Sequence, residues 1–141
     1  MRALALDVGE KTIGLAMTDE AAIAAHPLTV LQRVGHVGDA RAVARMVSEH
    51  GVTDVVIGMP FELSGKIGHR ARRVQAFITA LRAALPPAVA LHEQDERFTT
   101  AEAQRVLIAA DVSRAKRREV IDQQAAALIL KAWLDARRPR G

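Results

Sequence analysis

The sequence has no cysteine and no run of apolar residues that approaches membrane-spanning length. Without cysteine there is neither a disulfide framework nor a thiolate that could bind a metal or act as a nucleophile. The first apolar residues are interrupted at Asp7, which is too early for the core of a secretory signal. These absences predict a cytoplasmic protein that does not enter a membrane.

What the sequence does contain is typical of a globular protein, since 50% of its residues are hydrophobic and 26% are charged. Its 141 residues are enough for one compact domain with a single core and too few for two. We therefore expect one domain that spans residues 1–141, and we find no internal repeat or linker in it.

Positive charge is concentrated in the last third of the chain. Residues 1–96 hold ten Lys and Arg against eleven Asp and Glu, whereas residues 97–141 hold ten against five. Two basic clusters consist of Lys66, Arg70, Arg72 and Arg73, and of Arg114, Lys116, Arg117 and Arg118. Such clusters attract polyphosphate backbones, although a solvated helix face would carry the same pattern.

Hydrophobic periodicity predicts a mixed α/β fold. The predicted strands are Arg2–Val8, Thr12–Thr18, Leu28–Leu31, Asp54–Gly58 and Ala88–His92. The predicted helices run from a cap at Asp39 to Gly51, from the loop Phe61–Gly68 to Pro86, from a capping box at Thr99–Glu102, and from Ser113 to Asp135. This order implies three antiparallel strands followed by parallel strands, in a five-stranded sheet flanked by helices whose first and fifth strands are central neighbours.

Acidic residues stand at three places where a purely structural role would be costly or unusual. Asp7 ends an apolar strand, and Glu96 follows Glu93 and Asp95 at the end of the fifth strand. Asp122 shares the apolar stripe of the last helix and is therefore expected to face the sheet. Taken singly, these residues could be a turn-forming Asp, a solvated sheet edge and the rim of a buried helix face.

Together the three positions predict a metal site. The topology can bring Glu96 beside Asp7, and a helix that crosses the sheet can add Asp122. Three carboxylates so close together repel one another and require a cation, for which oxygen ligands favour Mg²⁺ or Mn²⁺. Two such ions could hold a phosphodiester and activate a water for its hydrolysis.

Four motifs, which follow one another along the chain, resemble those of a known protein family. They are Asp7-Val-Gly-Glu-Lys-Thr-Ile-Gly14 with Asp19, Val56-Ile-Gly-Met-Pro60 with Gly65, Asp95-Glu-Arg-Phe-Thr-Thr100 with Ala103, and Arg117-Arg-Glu-Val-Ile-Asp122 with Ala125 and Ala126. With these motifs the chain resembles the YqgF/RuvX family of RNase H-like nucleases over essentially its whole length. The resemblance implies a three-layer RNase H-like fold and metal-dependent cleavage of nucleic acid.

The resemblance also implies roles for individual residues. Asp7, Glu96 and Asp122 would be the catalytic metal ligands, with Asp95 as a further candidate ligand. It further implies phosphate contacts from Lys11, Arg97, Arg114, Lys116, Arg117 and Arg118, and from the first basic cluster we add Lys66 and Arg70 as expected contacts. The loop from Gly58 to Gly68 would border the site.

This sequence departs from the family pattern in places. Position 12 is Thr where the family commonly has Arg, and the loop Phe61–Ser64 differs from the usual Asn-Met-Asp type. Glu119 stands one helical turn before Asp122, where related resolvases use a second carboxylate. Both departures put in doubt only the substrate contacts that the family pattern places at position 12 and in Phe61–Ser64, and Glu119 is not assigned to the catalytic set.

Two substrates are associated with the family: the 5′ end of precursor 16S rRNA, which we rank first, and four-way DNA junctions, for which a homodimer would present two active sites. Since only 3% of the residues are aromatic, base stacking would contribute little to recognition. An actin-like ATPase shares the Asp-x-Gly hairpin by resemblance but needs two such domains. A nucleic-acid-binding module without catalysis stays open as a third class.

Overall fold

The computed structural model of the chain describes residues 1–62, 64–96 and 114–137, and it describes side chains in these ranges except at residues 114–123. Five strands and three helices lie in the described ranges. In chain order they are β1 (Ala3–Val8), β2 (Thr12–Thr18), β3 (Ala25–Gln32), α1 (His36–His50), β4 (Asp54–Met59), α2 (His69–Ala84), β5 (Ala90–Asp95) and α3 (Arg114–Arg137).

The described strands form one mixed sheet in the order β3-β2-β1-β4-β5. β2 pairs antiparallel with β1 and β3, whereas β4 pairs parallel with β1 and β5. Helix α2 connects β4 to β5, as a parallel pair requires a crossover. The predicted α/β architecture, with antiparallel strands first and parallel strands after them, is confirmed.

Alternate side chains of the fully buried strand β1 belong to two separate cores. Leu4 and Leu6 pack beneath α1 and α2, in a core that also contains Phe77. Ala3 and Ala5 face α3, where small side chains on the sheet let the helix approach closely. Since burying one leucine side chain contributes roughly 2 kcal/mol, the leucine-rich face supplies much of the stability. The sheet thus lies between two helical layers, as predicted.

Helix α1 begins differently from the prediction. We expected Asp39 to be the N-cap, which is wrong: the helix begins at His36 after Gly35, whose φ is 135°. Asp39 lies in the first turn, and its carboxylate accepts hydrogen bonds from the backbone N–H groups of Val34 (3.0 Å) and Gly35 (3.4 Å). The carboxylate therefore reaches back to the preceding loop, while Gly51 ends the helix in the left-handed conformation, as predicted.

Strand β4 ends one residue later than predicted, at Met59, and two further strands extend by several residues beyond their predicted bounds. β3 begins at Ala25 and includes Pro27, which is tolerated because β3 is an edge strand and its register shifts at this point. β5 ends at Asp95 and not at His92, since Glu93, Gln94 and Asp95 continue the parallel pairing with β4. Placing polar residues on an edge strand costs little free energy. The hydrophobic pattern alone therefore predicted too early an end for β5.

The expectation that the first and fifth strands are neighbours is wrong. β4 separates them, because both β1 and β5 pair with it in parallel. The helix start expected at Thr99–Glu102 lies outside the described residues. The last predicted helix is confirmed as α3. None of the helices in the described ranges has both the length and the apolar character needed to cross a membrane.

Candidate functional site

Asp7 lies near the carboxyl end of β1 and is only 8% exposed. Side chains alternate between the faces of a strand, so Asp7 shares the α3 side of the sheet with Ala3 and Ala5. Within the described part of the chain, no buried side-chain oxygen or nitrogen lacks a hydrogen-bond partner. The cost of burying this carboxylate is therefore offset by polar interactions.

Glu96 follows β5 directly and is 5% exposed. Its side chain lies over Gly58 of β4, since a Cβ atom added at Gly58 would be 3.1 Å from Glu96 Cδ and 2.5 Å from Ile129 Cδ1. Gly58 leaves space that any larger residue would fill. We did not predict this role, although a glycine inside a β-branched strand is a signal of close approach.

Asp7 and Glu96 lie on the same face and at the same end of the sheet, on either side of β4. Leu6 pairs with Ile57, so the next residues in register are Asp7 and Gly58. Adjacent strands are about 4.8 Å apart. The Glu96 carboxyl group, which lies over Gly58, is therefore about one strand spacing from the strand that holds Asp7. The structure thus places both acids on one face at one end of the sheet, with a glycine on the intervening strand between them, and their sharing of a metal ion stays a prediction.

Asp95 lies on the other side of the sheet from Glu96. Its partner in the parallel ladder is Met59, which belongs to the core beneath α1 and α2. His92, by contrast, contacts Trp133 of α3, with ring centroids 4.9 Å apart. By alternation Asp95 faces α1 and α2, so the structure does not bring it together with Asp7 and Glu96.

Asp122 belongs to α3, and its side chain is outside the described part. It precedes Ile129 by seven residues, which is about two turns on the same helical stripe. Trp133 of α3 contacts His92, and Ile129, one turn earlier in the helix, lies over Gly58. Towards its N-terminus the helix therefore approaches the carboxyl ends of β4 and β5. Position 122 lies further in that direction, and its role as a ligand stays a prediction.

Among the described side chains, which exclude that of Asp122, no three His, Cys, Asp or Glu residues are grouped so that they could hold a metal ion. Asp7 and Glu96 supply two buried carboxylates on one face, and hard oxygen ligands of this kind suit Mg²⁺ or Mn²⁺. The donors that are described therefore fit such an ion, and a third donor would have to come from elsewhere.

Three predicted phosphate contacts follow the carboxyl ends of parallel strands. Lys11 is exposed in the turn after β1, and Lys66 and Arg70 are exposed after β4. They therefore lie at the same end of the sheet as Asp7 and Glu96. The remaining predicted contacts are Arg97, which is outside the described residues, and Arg114, Lys116, Arg117 and Arg118, which lie in the first turns of α3 with side chains that are not described.

The loop after β4 is closed by backbone hydrogen bonds. Glu62 N–H donates to the Lys66 carbonyl over 3.1 Å, and Gly65 N–H donates to the Glu62 carbonyl over 2.8 Å. A Cβ atom at Gly68 would lie 2.7 Å from Glu62 Oε1, so the Glu62 carboxylate lies beside the N-terminus of α2. A carboxylate at this position is favoured by the helix dipole. The loop that presents Lys66 is thus folded on itself.

A second ionisable pair lies at the opposite end of the sheet. His92 Nε2 and Asp54 Oδ1 are 2.9 Å apart, and the Thr53 hydroxyl donates to Asp54 Oδ2 over 2.7 Å. Burial raises the pKa of Asp54, but the hydrogen bonds from Thr53 and His92 and the nearby positive charge outweigh it, so the pKa is lowered overall. Asp54 begins β4 and His92 is in the middle of β5, so this pair lies away from the carboxyl ends of these strands and outside the candidate site.

The sequence is similar to a family and to individual proteins over most of its length. A family model described as "RuvX: Holliday junction resolvase" matches residues 1–136. A Myxococcus xanthus protein named "Putative pre-16S rRNA nuclease" is 47% identical over 139 residues, covering 99% of this chain and 91% of that protein. A Desulforudis audaxviator protein of the same name is 42% identical over 138 residues, covering 98% and 96%.

Two solved structures are similar in fold. "T. thermophilus RuvC in complex with Holliday junction substrate" matches with a TM-score of 0.58 and 18% identity, over 95% of this chain and 96% of that one. "Crystal structure of Fowlpox virus resolvase and substrate Holliday junction DNA complex" gives 0.54 and 13%, over 96% and 98%. At these identities the similarity concerns the fold alone, and it confirms the predicted RNase H-like α/β architecture.

Proposed function

The chain belongs to the RuvX family, and on that premise we propose that it is a nuclease that hydrolyses phosphodiester bonds in precursor 16S rRNA, at the 5′ end of the mature sequence. The shared name of the two relatives supports this substrate. We further propose that residues 1–141 form one nuclease domain and that it acts in the cytoplasm, where precursor rRNA is processed.

The observation that carries the proposal is that the Glu96 carboxyl group lies over Gly58, the residue next in register to Asp7. Two buried carboxylates on one face repel each other, and a divalent cation would offset that repulsion. Asp7 and Glu96, with Asp122 as the third ligand, would hold Mg²⁺ or Mn²⁺. A pair of such ions would supply the activated water and neutralise the leaving oxygen.

The basic residues at the same end of the sheet would hold the nucleic-acid backbone. Lys11, Lys66 and Arg70 are exposed there, and each could neutralise one phosphate. The cluster from Arg114 to Arg118 would extend this surface along α3. Binding of this kind depends on charge and backbone shape and suits a structured nucleic acid.

A second candidate substrate is a four-way DNA junction. The description of the matching family and the resolvase structures of the same fold favour it. The chemistry would be the same, but a junction needs two cuts on opposite strands and therefore a homodimer. Nucleic acid is the partner in either case.

The two substrates are distinguished by comparing cleavage of a 5′-extended precursor 16S rRNA and of a four-way DNA junction, in Mg²⁺ and in Mn²⁺. We expect the rRNA to be cut at the mature end and the junction to be cut more slowly. Asp7→Asn should abolish cleavage of both while binding is retained. Full activity of Asp7→Asn in cells would instead favour a binding module without catalysis, and specific micromolar ATP binding would favour an ATPase.

A further inference from the structure

Arg33 follows β3 directly, and its side chain is only 9% exposed. Its guanidinium group donates from Nε to Asp39 Oδ2 over 3.0 Å, from Nη1 to the Gly9 carbonyl over 3.0 Å and from Nη2 to His36 Nδ1 over 2.9 Å. The group also lies 5.5 Å from the centre of the Phe77 ring. All three nitrogens of the planar fork therefore have a separate partner.

These bonds connect Arg33 to the start of α1. Asp39 is 2% exposed, and its carboxylate also accepts the Val34 N–H over 3.0 Å, which fixes its orientation. His36 can accept at Nδ1 only in the tautomer that carries its proton on Nε2. Arg33 is thus held from one side by groups that α1 keeps in place.

The other side of Arg33 holds the turn Gly9–Lys11, which we call the Lys11 turn. Its first carbonyl, that of Gly9, accepts from Arg33 Nη1, and its last carbonyl, that of Lys11, accepts the Arg33 backbone N–H over 2.9 Å. Gly9 N–H closes the turn by donating to the Thr12 carbonyl over 2.8 Å. One residue therefore fixes both ends of a turn whose two tip residues, Glu10 and Lys11, are exposed.

We propose that Arg33 is a positioning residue for substrate binding, which holds the Lys11 turn so that Lys11 meets a backbone phosphate beside Asp7 and Glu96. The inference rests on the proposed function, because it takes Lys11 as a phosphate contact. Asp7 is held separately by its pairing with Gly14 of β2. Arg33 consequently acts on binding and not on the chemical step.

A double-mutant cycle between Arg33 and Lys11 tests the proposal. Arg33→Lys keeps the charge and the pairing with Asp39, but one ammonium cannot reproduce a planar fork with three acceptors. The dissociation constant is measured by fluorescence anisotropy with a labelled 5′-extended precursor 16S rRNA fragment, in an Asp7→Asn background that does not cleave. Lys11→Ala should weaken binding about tenfold when Arg33 is present and less than about twofold after Arg33→Lys.

Additive effects of the two substitutions would overturn the proposal, since a loss of general stability does not depend on Lys11. Arg41→Lys is the matched control: Arg41 is exposed on α1, and its replacement should leave the tenfold effect of Lys11→Ala intact. With Asp7 present, Arg33→Lys should raise KM about tenfold and change kcat less than about threefold. A fall in kcat at constant KM would also contradict a role in binding.

If Arg33→Lys does not fold, which thermal melting would show, His36→Ala replaces it in the cycle. It removes one acceptor of the fork, and the effect of Lys11→Ala should then shrink to about threefold. An undiminished effect would overturn the inference. If Lys11→Ala has no effect in an enzyme that cleaves, the inference fails and the proposed function stands. If the unaltered protein neither binds nor cleaves the RNA, the proposed function fails and the inference with it.

Discussion

The carboxyl group of Glu96 lies over Gly58, where an added Cβ atom would be 3.1 Å from Glu96 Cδ. Glu96 follows β5, an edge strand that has no direct contact with β1 in the order of the sheet. The missing side chain at position 58 is therefore what lets this carboxylate approach Asp7. The metal site that we propose depends on a residue that would contribute no ligand.

We predict that Gly58→Ala lowers both stability and activity. The new methyl group would lie 2.5 Å from Ile129 Cδ1 and 3.1 Å from Glu96 Cδ, so the fully buried Ile129 side chain has to shift and the Glu96 side chain is crowded as well. Overpacking of this kind costs about 1 to 3 kcal/mol, and displacement of a metal ligand should slow cleavage more than about tenfold. Thermal unfolding and a single-turnover cleavage assay measure the two effects.

Gly38→Ala is the matched control for this substitution. Gly38 lies in α1, and the methyl group would meet only Val34 Cγ2, at 3.1 Å, on a side chain that is 82% exposed and free to move. Because alanine favours the helix over glycine, stability should be equal or slightly higher and cleavage unchanged. If Gly58→Ala behaved like Gly38→Ala, the close approach at Gly58 would have no functional importance.

Glu96 and Asp95 are adjacent in sequence, and we predict very different effects of replacing them. Glu96→Gln removes a ligand charge on the α3 face and should slow cleavage at least about a hundredfold. Asp95→Asn acts on the opposite face and should change the rate less than about threefold. Each variant is assayed over a range of Mn²⁺ concentrations, since a lost ligand also raises the metal concentration required. Equal losses in both variants would show that Asp95 shares the site.

Much of the sheet could be predicted because hydrophobic alternation and turn residues are local signals. Arg2–Val8 and Thr12–Thr18 are apolar segments around a short turn, and both strands were found nearly as predicted. The mixed sheet followed from the order of the elements, since helices between strands permit parallel pairing. That Asp7 and Glu96 lie at the same end of the sheet was likewise predicted from the ends of their strands, although the direct pairing of those strands that the prediction assumed was not found.

What could not be predicted depends on contacts between segments distant in sequence. No local sequence signal shows that β4 separates β1 from β5, or that the Glu96 side chain lies over Gly58. Asp39 has the residue type of an N-cap, and only the fold shows that it accepts hydrogen bonds from the preceding loop and from Arg33. A single sequence also gives Arg33 no feature that distinguishes it from a surface arginine.

Stability should depend on the charge of Asp54. The pKa of Asp54 is lowered in the folded protein, because the hydrogen bonds from Thr53 and His92 outweigh the effect of burial. Its contribution is therefore present above the ordinary aspartate pKa of about 4 and is lost as the pH falls through the lowered value. By urea denaturation, Asp54→Asn should be about 1 kcal/mol less stable at neutral pH and no different in strong acid.

Cleavage by Asp54→Asn serves as the control for that prediction. Asp54 lies at the opposite end of the sheet from Asp7 and Glu96, so the rate at neutral pH should stay within about twofold as long as the protein is folded. If the stability difference between the unaltered protein and Asp54→Asn persisted unchanged in strong acid, the charge of Asp54 would not contribute to the free energy of unfolding.

The exposed basic residues after β4 should control the salt dependence of nucleic-acid binding. Lys66 and Arg70 lie at the carboxyl end of the parallel strands, and each neutralised phosphate contributes about 0.9 to the slope of log K against log salt. Replacing both by alanine should therefore flatten the slope by nearly two, for RNA and DNA junctions alike. Arg82→Ala is the control, because Arg82 is exposed in the last turn of α2, far from that end, and should leave the slope unchanged. A slope that stayed constant in the double variant would mean that these two side chains do not contact the nucleic acid.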